Sequence, residues 1–140
     1  MRLSSLAAAR PAYYDRNATS VLQSYAAIIA PAGYTIRWTY TCPTGKKAVA
    51  EAISVRLWRQ TAATTLGTAY GEIRTVVGTD YQINTFVLVY DNSLTTSYFN
   101  ACPTQATLYA GEQLTAATND TTTGGTIAYV MAAKLTQYDA

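Results

Sequence analysis

The sequence predicts an all-β protein, a jelly roll or related β-sandwich of about eight antiparallel strands that follows an extended N-terminal arm. The first observation is composition, because the 140 residues include 23 Thr and 12 Tyr, residue types that favour strands. The second is periodicity, because short stretches of alternating apolar and polar residues recur between turns, and no segment has a convincing helical period. The spacing shows no βαβ unit, which argues against a parallel sheet.

Residues 20–30 are apolar and end at Pro31, and they suit a first strand better than the alternative short helix. The clearest strand follows over residues 34–42, where apolar and polar positions alternate strictly. The residues on the face that we expect to be buried are Tyr34, Ile36, Trp38, Tyr40 and Cys42. A turn around Gly45 then leads into the next strand.

Residues 48–59 are predicted to form a long strand whose inner residues are Val49, Ile53, Val55 and Leu57. Further strands are predicted over residues 68–77, 81–90, 95–101, 106–110 and 114–117. The strand at 81–90 is apolar on both faces in its second half, so we expect it to be a central strand that is covered on both sides.

The end of the chain combines a polar segment with a strongly patterned strand. Residues 118–125 are interpreted as a loop, with Asp120 in a solvated turn. The last strand is predicted over residues 126–138. Its residues that share one face are Ile127, Tyr129, Met131, Ala133 and Leu135.

Several kinds of chemistry are excluded because the residue types that they need are absent or rare. The chain has no His, two Cys and a formal net charge of +2. A Ser-His-Asp triad, a His-metal cluster and a cysteine-only zinc site are therefore impossible. The small net charge indicates neither nucleic acid nor an anionic membrane as a partner. We expect no catalytic, cofactor-binding or metal-binding residues, and a protein that is not an enzyme.

The two cysteines occur in the same tripeptide, Cys-Pro-Thr, at Cys42 and Cys102. A disulfide between them would close a loop of about 60 residues and stabilise the fold by roughly 4 kcal/mol. The alternative is a pair of buried thiols that pack as small apolar residues. The sequence leaves both possibilities open.

The first twenty residues lack a period and are interpreted as an arm, followed by one β-sandwich domain over residues 21–140. Large apolar and aromatic side chains on such an arm suit contacts with another protein. The predicted arm contacts are Leu3, Leu6, Tyr13 and Tyr14. For a subunit interface, the strand with two apolar faces offers Phe86, Leu88 and Tyr90.

The segment Tyr-Thr-Ile-Arg-Trp-Thr-Tyr-Thr-Cys-Pro-Thr-Gly-Lys-Lys-Ala-Val, at residues 34–49, resembles the paired strands of small viral jelly rolls. Residues 108–114 and 124–131 resemble the closing hairpin of such a domain. With a preceding arm, the chain is similar to the capsid decoration (cement) proteins of tailed bacteriophages, including those of thermophilic phages. That resemblance implies a homotrimer on the capsid surface of the virion, whose partner is the major capsid protein.

Two other functions fit the same pattern. One is a carbohydrate- or receptor-binding β-sandwich module of a tail fibre or a secreted enzyme, which would show a row of exposed aromatic side chains. The other is a small major capsid protein with a single jelly roll. A shell forms without a decoration protein, whereas it does not form without its major capsid protein.

Overall fold

The computed structural model describes residues 18–65, 67–89, 97–102 and 106–140, with side chains described outside residues 80–105. These residues form nine antiparallel strands. Their bounds are β1 Thr19–Ile29, β2 Thr35–Thr41, β3 Lys46–Thr61, β4 Ala69–Val77, β5 Asp80–Val89, β6 Ser97–Cys102, β7 Ala106–Tyr109, β8 Gln113–Asp120 and β9 Thr126–Asp139. In this part of the chain no helix is long and apolar enough to cross a membrane.

Two antiparallel sheets make up the sandwich. Sheet A has the strand order β1-β9-β3-β6, with β7 also paired to β3, and sheet B has the order β2-β8-β4-β5. The chain crosses repeatedly between the sheets, and β1 and β9, the first and last of the described strands, are neighbours. This connectivity is that of a jelly roll, and the predicted fold class is confirmed.

The nine strands correspond to the eight strands of a simple jelly roll, because β6 and β7 pair with two successive parts of β3 and together take the place of one strand. β6 pairs with β3 between Ile53 and Trp58, and β7 pairs with β3 between Lys47 and Ala50. Pro103 lies in the sequence between them. Proline has no amide hydrogen for a ladder, so it commonly stands where a strand is interrupted.

The core lies between the two sheets and is formed by alternating residues of each strand. The predicted inner face of the last strand is confirmed, because all five of its residues are at most 1% exposed. Val55 and Leu57 of β3 are equally buried. Each fully buried aliphatic side chain of this kind stabilises the fold by roughly 1.5–3 kcal/mol.

A β-bulge in β2 changes the predicted burial of that strand. Its register against β8 shifts between Ile36 and Trp38. Beyond the bulge Trp38 packs against the core and Tyr40 is buried, as predicted. Before it, Tyr34 and Ile36 are 45% and 53% exposed. The predicted burial of these two residues is wrong because one extra residue in a strand turns the following side chains to the opposite face.

A bulge also changes the predicted inner face of β3, because the register of β3 against β9 shifts between Ala50 and Ala52. Val49 therefore does not share the inner face with Ile53, and the buried residues there are Ala48 and Ala50.

Three other expectations differ from the structure. β5, predicted to be central, is the edge strand of sheet B. β8 continues to Asp120, which is 6% exposed, so the solvated turn predicted there is wrong. β1 starts at Thr19, so the last two residues assigned to the arm belong to the sandwich.

Candidate interaction surfaces

An apolar stripe runs along one border of the outer face of sheet A. It consists of Leu22, Ala26 and Ile28 on β1 and Val130 on β9. Ala128 of β9 lies on the same face but is only 2% exposed, and the exposed Lys134 lies opposite Leu22. Ile28 lies opposite Ala128 and Ala26 opposite Val130, so these side chains share a face. Leu22 is 69% exposed, Ile28 59% and Val130 41%. Neighbouring exposed apolar side chains of this kind are typical of protein interaction surfaces.

The stripe has an aromatic and cationic border on β3. Trp58 lies opposite Ala128, and the Trp58 Nε1 donates a hydrogen bond to Gln60 Oε1 at 3.1 Å. The guanidinium carbon of Arg56 lies 5.0 Å from the centre of the Trp58 ring, a cation–π distance. The outer face therefore changes from apolar at β1 to mixed at β3.

The outer face of sheet B carries a shielded carboxylate, in a group that we call the Tyr34 cluster: Tyr34, Glu72 and Arg74. The Tyr34 hydroxyl donates to Glu72 Oε1 at 2.9 Å, and Arg74 Nη1 lies 3.4 Å from the same oxygen. The Arg74 guanidinium carbon is 5.4 Å from the centre of the Tyr34 ring. Glu72 is only 4% exposed as a result.

Burial raises the pKa of Tyr34 to about 12, and the hydrogen bond and charge of Glu72 act in the same direction. The phenol therefore keeps its proton at neutral pH and stays a donor. Sequence reasoning missed this cluster because the bulge in β2, which turns Tyr34 outward, leaves no mark in the alternation of residue types.

A polar cluster lies between the sheets at the end where β1 finishes. Arg59 is 1% exposed, and its Nη1 lies 3.7 Å from Asp120 Oδ2. Asp120 Oδ1 accepts hydrogen bonds from the Thr122 amide at 2.8 Å and the Thr122 hydroxyl at 2.6 Å. The carboxylate thus connects β3 to the turn between β8 and β9.

Arg37, at the bulge of β2, extends this polar cluster towards β1. Its Nε donates to Thr118 Oγ1 at 2.9 Å, and its guanidinium carbon lies 4.9 Å from the centre of the Tyr25 ring. Burial raises the pKa of Tyr129, and the negative charge of Asp120 adds to that effect. These groups join five strands, and their arrangement is that of a structural network.

Of the seven predicted contact residues, the structure describes only the backbone of two. Outside the described residues lie Leu3, Leu6, Tyr13, Tyr14 and Tyr90. The β5 backbone places Phe86 opposite Glu72 and Leu88 opposite Tyr70, although the side chains of both β5 residues lie outside the described part. Within the described residues there is no group of three or more side chains that could hold a metal ion.

Cys42 is a buried free thiol in the structure. Its Sγ lies 3.4 Å from the carbonyl oxygen of Lys46, so the thiol is placed to donate to the turn between β2 and β3. Of the two possibilities that the sequence left open, the structure shows Cys42 as a buried thiol, and the side chain of Cys102 lies outside the described residues. Burial also raises the pKa of the Cys42 thiol, which lowers its reactivity.

Alkylation without reductant is expected to modify Cys42 rapidly in unfolded protein and slowly in native protein. The physical reason is that the native Sγ is shielded and its thiolate disfavoured. Peptide mapping by mass spectrometry after each reaction measures the outcome. An unfolded chain whose Cys42 takes up alkyl groups only after reduction would show that the disulfide exists.

No protein-family model matches the chain, and no curated protein matches it. Solved structures that share a distant likeness include the two that follow. The crystal structure of murine APRIL at pH 5.0 has a TM-score of 0.37 and 10% identity, over 78% of this chain and 98% of that one. The infectious bursal disease virus VP2 subviral particle has a TM-score of 0.27 and 7% identity, over 89% of this chain and 42% of that one. Similarity this low carries no argument about function.

Proposed function

We propose that the chain is a structural virion protein that binds the outside of a phage capsid and stabilises it. The apolar stripe carries this proposal, because Leu22 and Ile28 gain from being covered by protein. Covering apolar surface contributes about 25 cal/mol per Å², and many copies on one shell add their weak contacts. The resemblance of residues 34–138 to decoration proteins supports the assignment to a phage.

Capsid binding is assigned to the arm, through Leu3, Leu6, Tyr13 and Tyr14. The arm precedes β1, which begins at Thr19 on the border of sheet A. Thr19 thus lies at the edge of the sandwich, and we assign to the segment attached there the contacts with the major capsid protein or a neighbouring subunit. Leucine and tyrosine bury large areas per residue, which suits contacts made by a short segment.

Subunit contacts are assigned to Phe86, Leu88 and Tyr90, and the expected assembly is a trimer. The edge position of β5 in sheet B supports this assignment, since an edge strand is accessible to a second chain. The mass in solution should then be three times the 15.1 kDa of one chain, or a whole multiple of that trimer mass. A stable monomer at micromolar concentration would count decisively against the trimer.

Deletion of residues 1–16 is expected to abolish binding to capsids that lack this protein and to leave the domain folded. Binding is lost because the apolar and aromatic arm contacts go, whereas every described strand begins after the deleted segment. Co-sedimentation with capsids measures binding, and circular dichroism with urea unfolding measures the fold.

A finer comparison separates side-chain contacts from mere chain length. Changing Leu3, Leu6, Tyr13 and Tyr14 together to Ser should reproduce the deletion. The matched control changes Ser4 and Ser5 to Ala, which keeps the arm and its apolar side chains and should bind normally. Unchanged capsid binding by the deletion variant would refute the proposed role of the arm.

The structure offers little for a sugar-binding module. The most exposed described aromatic residues, Tyr34 and Tyr109, are 45% and 58% exposed, but Tyr109 belongs to sheet A whereas Tyr34 contacts Glu72 of sheet B. They therefore do not form one platform. Saturable binding on a glycan array would favour that function, and failure of shells to assemble without the protein would favour a major capsid protein.

A further inference from the structure

β1 is an edge strand with an open side. Within the described residues it pairs only with β9, in one unbroken register from Thr19 opposite Gln137 to Ile29 opposite Ile127. An edge strand presents a row of backbone amide and carbonyl groups that another strand can pair with. The eleven residues of β1 therefore form a long, regular template.

The other edges of the sandwich are shorter or irregular. β2 has seven residues and a bulge, β6 has six residues, and β7 has four. The pairing of β5 with β4 shifts register between Ile73 and Arg74. Short length and bulges are the usual devices that keep edge strands from pairing with another chain. β1 has neither device.

The composition of β1 also lacks the residues that keep an edge strand from pairing with another chain. Its sequence, Thr-Ser-Val-Leu-Gln-Ser-Tyr-Ala-Ala-Ile-Ile, contains no charged residue and no proline. Charged side chains lie beside the strand but not on it. Lys134 of β9 is opposite Leu22, and Arg37 lies over the ring of Tyr25 and hydrogen-bonds Thr118 between the sheets. Natural edge strands that stay single usually carry a lysine or a proline, so β1 is suited to pairing.

β1 is also complementary to itself. In an antiparallel pair of two β1 strands centred on Tyr25, Leu22 of one copy lies opposite Ile28 of the other, and Ser24 lies opposite Ala26. Leu22 and Ile28 are the exposed large apolar side chains of the strand. Direct cross-strand pairs of this kind stabilise a sheet. The two apolar stripes would meet as one continuous surface.

We propose that two copies of this chain join through antiparallel pairing of their β1 strands about a two-fold axis at Tyr25. Sheet A then continues into sheet A of the second copy. Pairing from Val21 to Ile29 in both copies forms about eight to ten backbone hydrogen bonds, the number found in a typical protein interface. Isologous contacts of this type are the commonest in homo-oligomers.

This interface goes beyond the proposed function and shares only the apolar stripe with it, because the β1 pair would itself cover Leu22 and Ile28. It uses neither residues 1–17 nor the β5 residues assigned to the trimer. If trimers also form, the β1 pair links one trimer to the next. Loss of capsid binding by arm variants and loss of β1 pairing are therefore separate results.

A mixture of two single-cysteine variants tests the register directly. Ser24→Cys in one copy lies opposite Ala26→Cys in the other, at a distance that a disulfide can span. Oxidation of an equal mixture should link about half of the dimers, the share expected for random pairing. Non-reducing gel electrophoresis measures the linked species, at twice the mass of one chain.

Each variant alone is the control, because identical positions are diagonal neighbours about 7–8 Å apart, beyond the reach of a disulfide. The native cysteines stay in place, since every control carries them. A mixture of Ser20→Cys with Ser24→Cys tests a wrong register and should stay unlinked. No link in the matched mixture, or equal links in the wrong register, would overturn the proposal.

A charge variant tests the same interface without new cysteines. Ser24→Lys combined with Ala26→Lys puts like charges opposite each other across the pair. Sedimentation should show the assembly mass fall by a factor of two. The exposed positions Thr39 and Thr41 of sheet B, changed to Lys, are the matched control and should leave the mass unchanged. If pairing appears only after deletion of residues 1–16, the chain covers its own edge and the proposal is wrong.

Discussion

Replacing Asp120 by Ala is expected to lower the free energy of unfolding by about 3–5 kcal/mol, because it leaves the Arg59 guanidinium buried without its counter-charge. The Arg59 side chain is 0% exposed and lies 3.7 Å from the carboxylate. The substitution also removes the acceptor of two hydrogen bonds from Thr122. Urea unfolding at neutral pH, followed by circular dichroism, measures the loss.

Asp139 provides the matched control, because Asp139→Ala removes the same charge from a surface ion pair. Lys46 Nζ and Asp139 Oδ1 lie 2.5 Å apart, but their side chains are 30% and 34% exposed. Exposed pairs contribute at most about 1 kcal/mol. Equal stability of the Asp120 and Asp139 variants would show that the buried pair is not a determinant of stability.

A double variant separates charge from packing. Arg59→Met together with Asp120→Ala removes both charges, and unfolding should then cost more free energy than in Asp120→Ala alone. The reason is that the desolvated guanidinium, not the missing attraction, causes most of the damage. A double variant that is less stable than Asp120→Ala would contradict this explanation.

Replacing Gly125 by Ala is expected to destabilise the fold by about 3 kcal/mol. Gly125 has a φ of +71°, and a Cβ atom there would lie 2.5 Å from the carbonyl oxygens of both Thr61 and Ala62. The substitution combines the left-handed conformation, which costs about 1–2 kcal/mol for an L-residue, with a clash that is about as costly as overpacking a core. The midpoint of urea unfolding measures the change.

Gly45→Ala is the control for Gly125→Ala. Gly45 has a φ of +78°, but nothing lies within 4 Å of the position of its Cβ. Its substitution should cost only the conformational part, about 1–2 kcal/mol. If the two variants unfold at the same urea concentration, the close approach of the Thr61–Ala62 backbone does not limit stability.

Period-two patterns were reliable where the strand is regular. The inner face of β9, from Ile127 to Leu135, was predictable because β9 itself contains no bulge. Its register against β1 is unbroken, and the register shifts against β3 come from extra residues of β3. The alternation in β2 predicted burial of Tyr34 and Ile36, which is wrong because both side chains are exposed. A bulge depends on how β2 meets β8, which is tertiary information that the local pattern lacks.

Polar composition misled at Thr118 and Asp120. Thr and Asp suit loops by their local hydrogen bonds. Here Thr118 is bonded to Arg37 on the neighbouring strand of sheet B, and Asp120 is paired with Arg59 of the opposite sheet. A buried arginine at an inner position of β3 was the available signal. It shows that a carboxylate is needed nearby, but not which of the eight acidic residues supplies it.

The apolar face of β5 misled in the opposite way. A strand that is apolar on both sides usually lies in the middle of a sheet, yet β5 is an edge. Sheet order depends on long-range pairing, which no local window contains. The edge position fits the assignment of Phe86 and Leu88 to an interface, and that assignment stays a prediction.

The position of β9 between β1 and β3 bears on how the chain folds during synthesis. β1 and β3 do not pair with each other, and β9 is the strand that joins them. Sheet A cannot close until residues 126–139 have left the ribosome, and its closing contacts span almost the whole chain. Folds dominated by such long-range pairing form slowly. The nascent chain therefore exposes β1 until β9 has been made, and chaperones that hold extended apolar segments would determine its yield.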